Sequence, residues 1–600
     1  GGEEWSIADQ RVSPQVRSAL EAVKLLYTRL GARRVDAGRW QSKWLTKRLL
    51  CQLQDVLAAV SCALPAWCLV VPRRFSFLFS LEARKRLLDA SGFGASHALY
   101  RLQEGKIGTL RARHAHALRA AQARQARARE QQDIEAIARA SDDVDDIERL
   151  IHSKRIGSIA TDLARVSRAS VLENAMLLLD LHHASKHLME VQFQNEGGFG
   201  RGVTQNFYEA VSESLQRRSA NEHTRLWLSD GHDAECRVDP EGPFKHLMPP
   251  DGLFPRPLAP SAPAQEVEVV ERHMRFLGRL LAKACRDSFT VSLPLHPHLF
   301  ALIQGDGGAE PQKLLRVFGR SRDGLASSED WGPHDLVRGY AAIYDAAVDA
   351  AKWDPSGDGR KGDARWLEAV EHMRKAELMS THLNRAFTFG LEEYLSSSAA
   401  CFVDPVTLSP LLPGGEQRAL DVESLGEFLE CIVDRWFGQG LHRQVAAVRA
   451  GIDDVFPFAS LEIFTAPELE VLLCGEKRIE WDRATLLQQI KRVSNEQGAK
   501  LDAEGGPFAL LLDELVDMSS ADRARFLDFV TACPRLPPGG LASLAIEVAP
   551  ETRSRYPRSR TCAKLMWLPA YSTGAELREG LRTAMANSKD GGFHETNEST

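Results

Sequence analysis

Cys562 stands in the stretch Tyr556-Pro557-Arg558-Ser559-Arg560-Thr561-Cys562-Ala563-Lys564-Leu565-Met566-Trp567-Leu568-Pro569-Ala570-Tyr571, and its neighbours point to nucleophilic chemistry. The residues before it are polar, basic and interrupted by proline, which predicts an exposed loop. Those after it, Leu565 to Leu568, are apolar and stopped by Pro569, which predicts a short strand. At such a junction, with Arg555, Arg558, Arg560 and Lys564 close in sequence, positive charge favours the thiolate, the nucleophilic form of the side chain. Most intracellular cysteines are small core residues instead. Cys285 after Leu280-Leu281-Ala282-Lys283-Ala284, Cys431 between Glu430 and Ile432, and Cys474 after Val471-Leu472-Leu473 fit that ordinary pattern.

Other chemistries find less support. The ten cysteines contain no C-x-x-C pair and form no zinc or disulfide framework. His182, His183 and His187 share a helical run, and His296 and His298 flank Pro297, but neither group has acidic or cysteine partners at ligand spacing. Asp354-x-Ser356-x-Asp358-Gly359 begins like a calcium loop and fails where Arg365 replaces the bidentate glutamate. Gly197–Gly202 lacks the spacing and the lysine of a phosphate-cradling loop and reads as a turn. There is no G-x-S-x-G elbow. The expectation is a chain without metal or cofactor.

The elements that must position Cys562 are mostly helical. Residues 15–31 and 43–60 carry apolar positions at helical spacing, followed by a proline and aromatic stretch from Val71 to Phe79. Residues 111–140 are rich in Ala, Arg and Gln, with Arg111, Arg113, Arg119, Arg124, Arg127 and Arg129 preceding the acids Asp142, Asp143, Asp145 and Asp146. Without interleaved aromatics or a binding motif, this basic run reads as a solvated helix and not as a nucleic-acid arm. From about Leu163 helices alternate with short strands: Val191–Phe193 as a strand, the glycine turn, then a helix from Val203 to Arg217. Thr465-x-x-Glu468, Ser519-x-x-Asp522 and Thr573-x-x-Glu576 have the spacing of helix N-terminal caps. Arg492–Gly506, rich in Gly, Asn, Lys and Glu, suggests a linker before a compact C-terminal unit of roughly a hundred residues.

At 600 residues the chain is too long for one core. Its 44% hydrophobic and 26% charged residues are those of a globular protein, and a net charge of −6 implies no general attraction to nucleic acid or anionic membrane. With no signal peptide and no apolar run of spanning length, the expected location is cytoplasmic or nuclear. The opening Gly1-Gly2-Glu3-Glu4 lacks methionine, so the chain reads as the C-terminal part of a longer protein.

The C-terminal motifs resemble those of the HECT-type ubiquitin ligases. Arg535-Leu536-Pro537-Pro538-Gly539-Gly540 resembles the family's R-x-P-x-G-G loop, and Thr561-Cys562 with Leu568-Pro569-Ala570-Tyr571 resembles its T-C…L-P-x-Y signature. Pro467-Glu468-Leu469-Glu470-Val471-Leu472-Leu473-Cys474-Gly475 is similar to its P-E-E-L-E-x-L-L-C-G segment, and Met189–Phe193 with Asn206-Phe207-Tyr208 to the start of the domain. Within the family the ubiquitin-fusion-degradation branch, which includes the thyroid-receptor-interacting ligase, is the nearest match. Arg165-Val166-Ser167-Arg168, Gly252-Leu253-Phe254-Pro255, Leu280–Ala284, Phe593-His594 and upstream Leu45-Thr46-Lys47, Gln52–Asp55 and Phe77–Phe79 carry it.

The resemblance implies an α+β, mostly helical, bilobal fold. Residues 1–102 would be a helical region before the domain, 103–162 a charged helical linker, 163–491 the N-lobe, 492–506 the hinge and 507–600 the C-lobe. It implies that Cys562 accepts ubiquitin from a conjugating enzyme as a thioester and passes it to substrate lysines for proteasomal degradation, with Thr561 and Arg560 beside it. Arg535, Pro537, Gly539, Gly540, Leu568, Pro569 and Phe593 would support the C-lobe, and the ubiquitin tail would pair with the strand after Cys562. Tyr394, Phe402, Phe428 and Ile432, in a subdomain at about 385–450, would dock the conjugating enzyme. The chain departs from the family at Arg560 (often His), Ala563 (often aromatic) and Asn206 (usually Glu). It departs also in the residues His594–Thr600 that follow Phe593. Glu196 is then the candidate acid. The alternative function is an impaired, ligase-like scaffold that binds ubiquitin or a conjugating enzyme without transfer.

Overall fold

Among the described residues, buried apolar side chains collect into two separate cores. The computed structural model describes residues 14–305, 394 and 401–590, with breaks at 35–36, 62, 154–156, 218–224, 229–235, 239–244, 248–251, 421–423, 425–426, 429–430, 433, 478, 494–500, 502–504 and 553. Phe593, the loop at 354–363 and all but Gly305 of the loop at 305–308 lie outside the described residues.

The first core starts with α1 (Pro14–Arg34), α2 (Ala37–Trp40), α3 (Lys43–Gln52), α4 (Val56–Val60), α5 (Trp67–Arg74) and α6 (Leu81–Ser91). The helix expected over 43–60 is broken because the Asp55 side chain accepts from the amides of Leu57 and Ala58 and so starts a new helix. Phe75 and Phe79 are fully buried, and Phe77 stacks on Tyr27 at 4.2 Å. The arginine-rich run lies in α7 (Ala95–Glu130), which folds back on α8 (Ile134–His152). Arg124 meets Asp143 at 2.7 Å across that hairpin, so part of the acidic run serves as local counter-charge to the basic one.

Next come β1 (Thr161–Val166), α9 (Val171–His182), β2 (Leu188–Phe193) and α10 (Arg201–Leu215), with β1 and β2 parallel. A small antiparallel pair, β3 (Cys236–Val238) and β4 (Lys245–Leu247), follows. The long α11 (Ala264–Asp287), α12 (Pro297–Gln304), α13 (His442–Asp453) and α14 (Ala466–Cys474) complete this core, and with β1–β4, α9 and α10 they form the first lobe. Thr465 and Glu468 form the expected capping box at the start of α14.

The second core holds α15 (Arg483–Gln489), β5 (Lys491–Arg492), α16 (Pro507–Asp517), α17 (Ser520–Thr531), β6 (Glu547–Glu551), β7 (Arg558–Arg560), β8 (Leu565–Pro569) and α18 (Gly574–Asp590). Its sheet runs β5-β6-β8-β7, with β6 parallel to β5 and β8, and β7 antiparallel to β8. The fold class is therefore α+β, mostly helical, in two lobes.

The connection between the lobes falls upstream of 492–506. Cys474 belongs to the first core, whereas Ile479, Trp481, Leu486 and Ile490 belong to the second. The Trp481 indole donates to the Leu515 carbonyl oxygen at 2.8 Å, and Arg483 pairs with Asp513 at 2.6 Å. The chain therefore crosses at 475–478, where Gly475 has a φ of +76° that a side chain would strain. The elements on either side of the polar stretch 492–506, β5 and α16, both belong to the second lobe, so that stretch is not the connection between the lobes. Among the described residues, no helix is long and apolar enough to cross a membrane.

Candidate active site

The turn carrying Cys562 is the tip of the β7–β8 hairpin. Ala563 N donates to Arg560 O at 3.0 Å and Lys564 N to Thr561 O at 3.2 Å, which folds residues 560–564 into two overlapping turns. Lys564 takes a left-handed φ of +51°, and its carbonyl accepts from Glu547 N of β6 at 3.0 Å, fixing the tip to the sheet. Cys562 and Ala563 are exposed as a result. Buried thiols behave differently: burial pushes Cys285 up to about 11 and Cys474 and Cys533 up to about 12, leaving them inert. Cys51, in α3, is also exposed.

Residues around the tip hold it in place. Tyr571 donates its hydroxyl to Arg555 O at 2.7 Å, tying the basic loop to the chain after β8. Arg558 bonds Glu551 at 2.7 Å, so its charge is matched within the sheet, while Arg560 is exposed. Leu568 and Pro569 are buried, Leu568 completely. β8 itself has β6 on one side and β7 on the other. The expected pairing of a ubiquitin tail with this strand therefore has no free edge to use, because the sheet has already paired both.

On the first lobe, α10 begins at a glycine turn and faces the hairpin tip. A Cβ on Gly202 would collide with Thr561 Oγ1 and lie 3.1 Å from Cys562 N and 3.3 Å from Thr561 Cβ. Arg201 donates to Ser288 O at 2.9 Å and lies 4.5 Å from the centre of the Phe289 ring. Burial, then the positive charge of Arg201, push the Lys564 amine below its ordinary value. Arg168 grips Glu196 through two bonds of 2.5 and 3.2 Å, donates to Asn206 Oδ1 at 2.9 Å and covers the Phe193 ring at 3.7 Å. Both Glu196 carboxylate oxygens are thus engaged by a cation, and Asn206, in place of the family's usual Glu, supplies a neutral acceptor to the same guanidinium.

The R-x-P-x-G-G segment joins the lobes. Arg535 Nη1 donates to Cys474 O at 3.3 Å, and Glu476 N to Leu536 O at 2.7 Å, in an antiparallel bridge. Gly540 N donates to Pro537 O at 2.9 Å, and Gly539 and Gly540 have φ values of +96° and +64°. The turn thus aims the Arg535 side chain and the Leu536 carbonyl toward the first lobe and the crossing, while the Leu536 side chain packs in the second core.

With this geometry in view, the sequence pattern of the HECT-domain (ubiquitin-transferase) family matches residues 244–595. The chain belongs to the HECT-domain family. It is 28% identical over 600 residues to the E3 ubiquitin-protein ligase UPL3 of Arabidopsis thaliana, covering 94% of this chain and 27% of that protein. To the E3 ubiquitin-protein ligase Ufd4 of Drosophila melanogaster it is 28% identical over 603 residues (92% and 20%). To the E3 ubiquitin-protein ligase TRIP12 of Danio rerio it is 25% identical over 570 residues (92% and 24%). These relatives agree with the ubiquitin-fusion-degradation branch that the motifs indicated. The chain spans about a quarter of the length of the curated relatives it matches.

The HECT side chains expected to dock a conjugating enzyme lie mostly inside. Phe402, Phe428 and Ile432 are fully buried, with Phe402 edge-on to Phe428 at 5.8 Å. Tyr394 is half-buried, stacks on Phe428 at 6.2 Å and donates to Cys401 O at 2.8 Å. A fully covered side chain offers no surface to a partner, so Phe402, Phe428 and Ile432 pack as core; apolar spacing on a helix fits core and docking face equally well. Gly202 and its approach to Cys562 carry no local sequence signal, since the glycine turn reads only as a turn.

Proposed function

We propose that this chain is the catalytic end of an E3 ubiquitin-protein ligase acting through a thioester on Cys562. The Cys562 thiolate attacks the thioester carbonyl joining ubiquitin to a conjugating enzyme, and that enzyme's thiolate leaves. A substrate lysine amine then attacks the new thioester, releasing the Cys562 thiolate and joining ubiquitin to the lysine through an amide bond, while the proton lost by the amine passes to solvent. Splitting one acyl transfer into two suits a reaction whose donor and acceptor sit on different proteins. The observation that carries this reading is the placing of Cys562 at an exposed hairpin tip in a HECT-family chain, whereas Cys285, Cys474 and Cys533 are buried. Thr561 and Arg560 shape the tip, and Arg535 with Gly539 and Gly540 set the C-lobe against its partner. The pivot for carrying Cys562 between conjugating enzyme and substrate is the crossing at 475–478. Glu196, held by Arg168, orders the approach to α10. Proteins marked for the proteasome are the proposed substrates, in the cytosol or nucleus.

The test is a charging reaction with ubiquitin, activating enzyme, a panel of conjugating enzymes and ATP, run on non-reducing gels. A thiol-sensitive ubiquitin adduct on the folded chain that disappears in Cys562→Ala is the expected result. Absence of the adduct with every conjugating enzyme would overturn the ligase reading and leave a binding scaffold.

A further inference from the structure

Gly202 is an unusual place for glycine. It is buried inside the first turn of α10 and its φ is not left-handed, so its conformational freedom is not what the position uses. Alanine would favour the helix by about 1 kcal/mol. What glycine supplies is space, and that space is taken by Thr561 and the backbone amide of Cys562 from the other lobe.

We propose that Gly202 is a positioning residue for the second half-reaction: by lacking a side chain it lets the Thr561–Cys562 tip seat on α10, and this seated pose discharges ubiquitin to lysine. The inference rests on the ligase reading. Its direction follows from geometry. A hairpin tip whose backbone lies against α10 cannot turn that same face to a conjugating enzyme, so seating and loading compete. Asn206 lies four residues beyond Gly202, about 6 Å along the same face of α10. Through Arg168 it connects to Glu196, so the Glu196–Arg168–Asn206 group is anchored to the face of α10 on which the tip seats. That group combines a carboxylate and an amide carbonyl, acceptors for the N–H groups of an incoming lysine amine, with the guanidinium that holds both in place. The seated pose therefore brings the thioester to a polar surface suited to a lysine acceptor.

The experiment separates the half-reactions. The intact chain and Gly202→Ala are charged with ubiquitin, further charging is quenched, and decay of the adduct is followed with free lysine and with a protein substrate. Charging within twofold of the unaltered chain, with discharge at least about tenfold slower, is expected from a displaced reacting centre. The thermal midpoint should be equal or higher, because alanine favours the helix. A merely structural role would lower charging and midpoint together. The second arm pairs Gly202→Ala with Thr561→Ala, which removes the colliding hydroxyl. The cost of Gly202→Ala should be smaller in that background, and an undiminished cost would overturn the steric argument whatever the single variant's stability. Unchanged or faster discharge by Gly202→Ala, with normal charging, would overturn the proposal and leave the ligase reading standing. An unaltered chain that never charges would sink that reading first.

Discussion

The first lobe of this molecule meets two neighbours, the helices upstream of it and the second lobe beyond Gly475, and the two contacts are built on opposite lines. On the upstream side Arg84, 3% exposed, donates to Phe79 O at 3.2 Å, to Ile463 O at 2.9 Å and to both Glu468 oxygens at 2.6 and 2.5 Å. Burial would raise the Glu468 carboxyl, but the Arg84 bonds and the capping-box amide outweigh it and hold the group below its ordinary value. Arg101 covers Phe93, bonds Asp89 and reaches the Cys285 and Arg286 carbonyls, while Phe93 packs edge-on to Phe456 at 4.9 Å. Both sides contribute to a single apolar core. Among the described residues, the contact with the second lobe has separate cores, a backbone bridge, an arginine-to-carbonyl bond and a glycine making room, with Arg201 acting unfavourably on Lys564 and Arg535 favourably on Glu470. Shared core with buried, matched charge makes a fixed joint; separate cores joined by a few polar contacts make one that releases.

The largest expected effect breaks the fixed joint. Arg84→Met leaves Glu468 without its cation and should destabilise the first lobe by about 3 kcal/mol or more, seen as a shift of the denaturant midpoint. Arg535→Ala, across the releasing joint, should leave that transition in place; an equal shift would erase the distinction. A smaller effect sharpens the comparison by pH. His97 is buried in the fixed joint with Nε2 2.9 Å from Lys186 O, and burial, then the charge of Arg286, push it from 6.5 down to about 4. Between those values the unfolded chain binds a proton that the native chain refuses. Stability present above pH 6.5 should therefore fall as pH drops toward 4, by up to about 3 kcal/mol. His97→Gln should flatten that slope in unfolding curves taken at stepped pH, and an unaltered slope would place it on other groups. The smallest effect concerns the releasing joint. Lys564→Met removes the repulsion with Arg201 and should speed lysine discharge roughly twofold while weakening its salt dependence; slower discharge would show that the charge pair helps seating.

What was legible in the sequence was local. The strand after Cys562, the turn before α10 and the caps at Thr465 and Ser519 each follow from residues within one turn or strand of one another. Where the sequence misled, the deciding contact was distant. Residues 492–506 have a linker's composition, yet β5 and α16 on either side of them share one lobe, and distant contacts such as the Trp481 indole on the Leu515 carbonyl show where the lobes divide. Phe402, Phe428 and Ile432 have the apolarity of a docking face and of a core, and burial decides between them. Glu196 was legible as an acid but not as an acid already held by Arg168. The meeting of Gly202 with Thr561 joins residues from different lobes, and no periodicity or composition encodes it.

The fixed joint also bears on how such a catalytic end can be inherited. The family pattern begins at residue 244, yet Arg84 is bonded to Glu468 and Arg101 to the end of α11, on either side of that boundary. A gene fusion that carried only the matched portion to a new host protein would strip the cation from Glu468 and bare a face of the first core. A cut that travels successfully must lie upstream of these helices, so lineages should pass them on as one piece with the domain. The alignments to UPL3, Ufd4 and TRIP12, which cover more than nine-tenths of this chain, have the extent that such joint descent would leave.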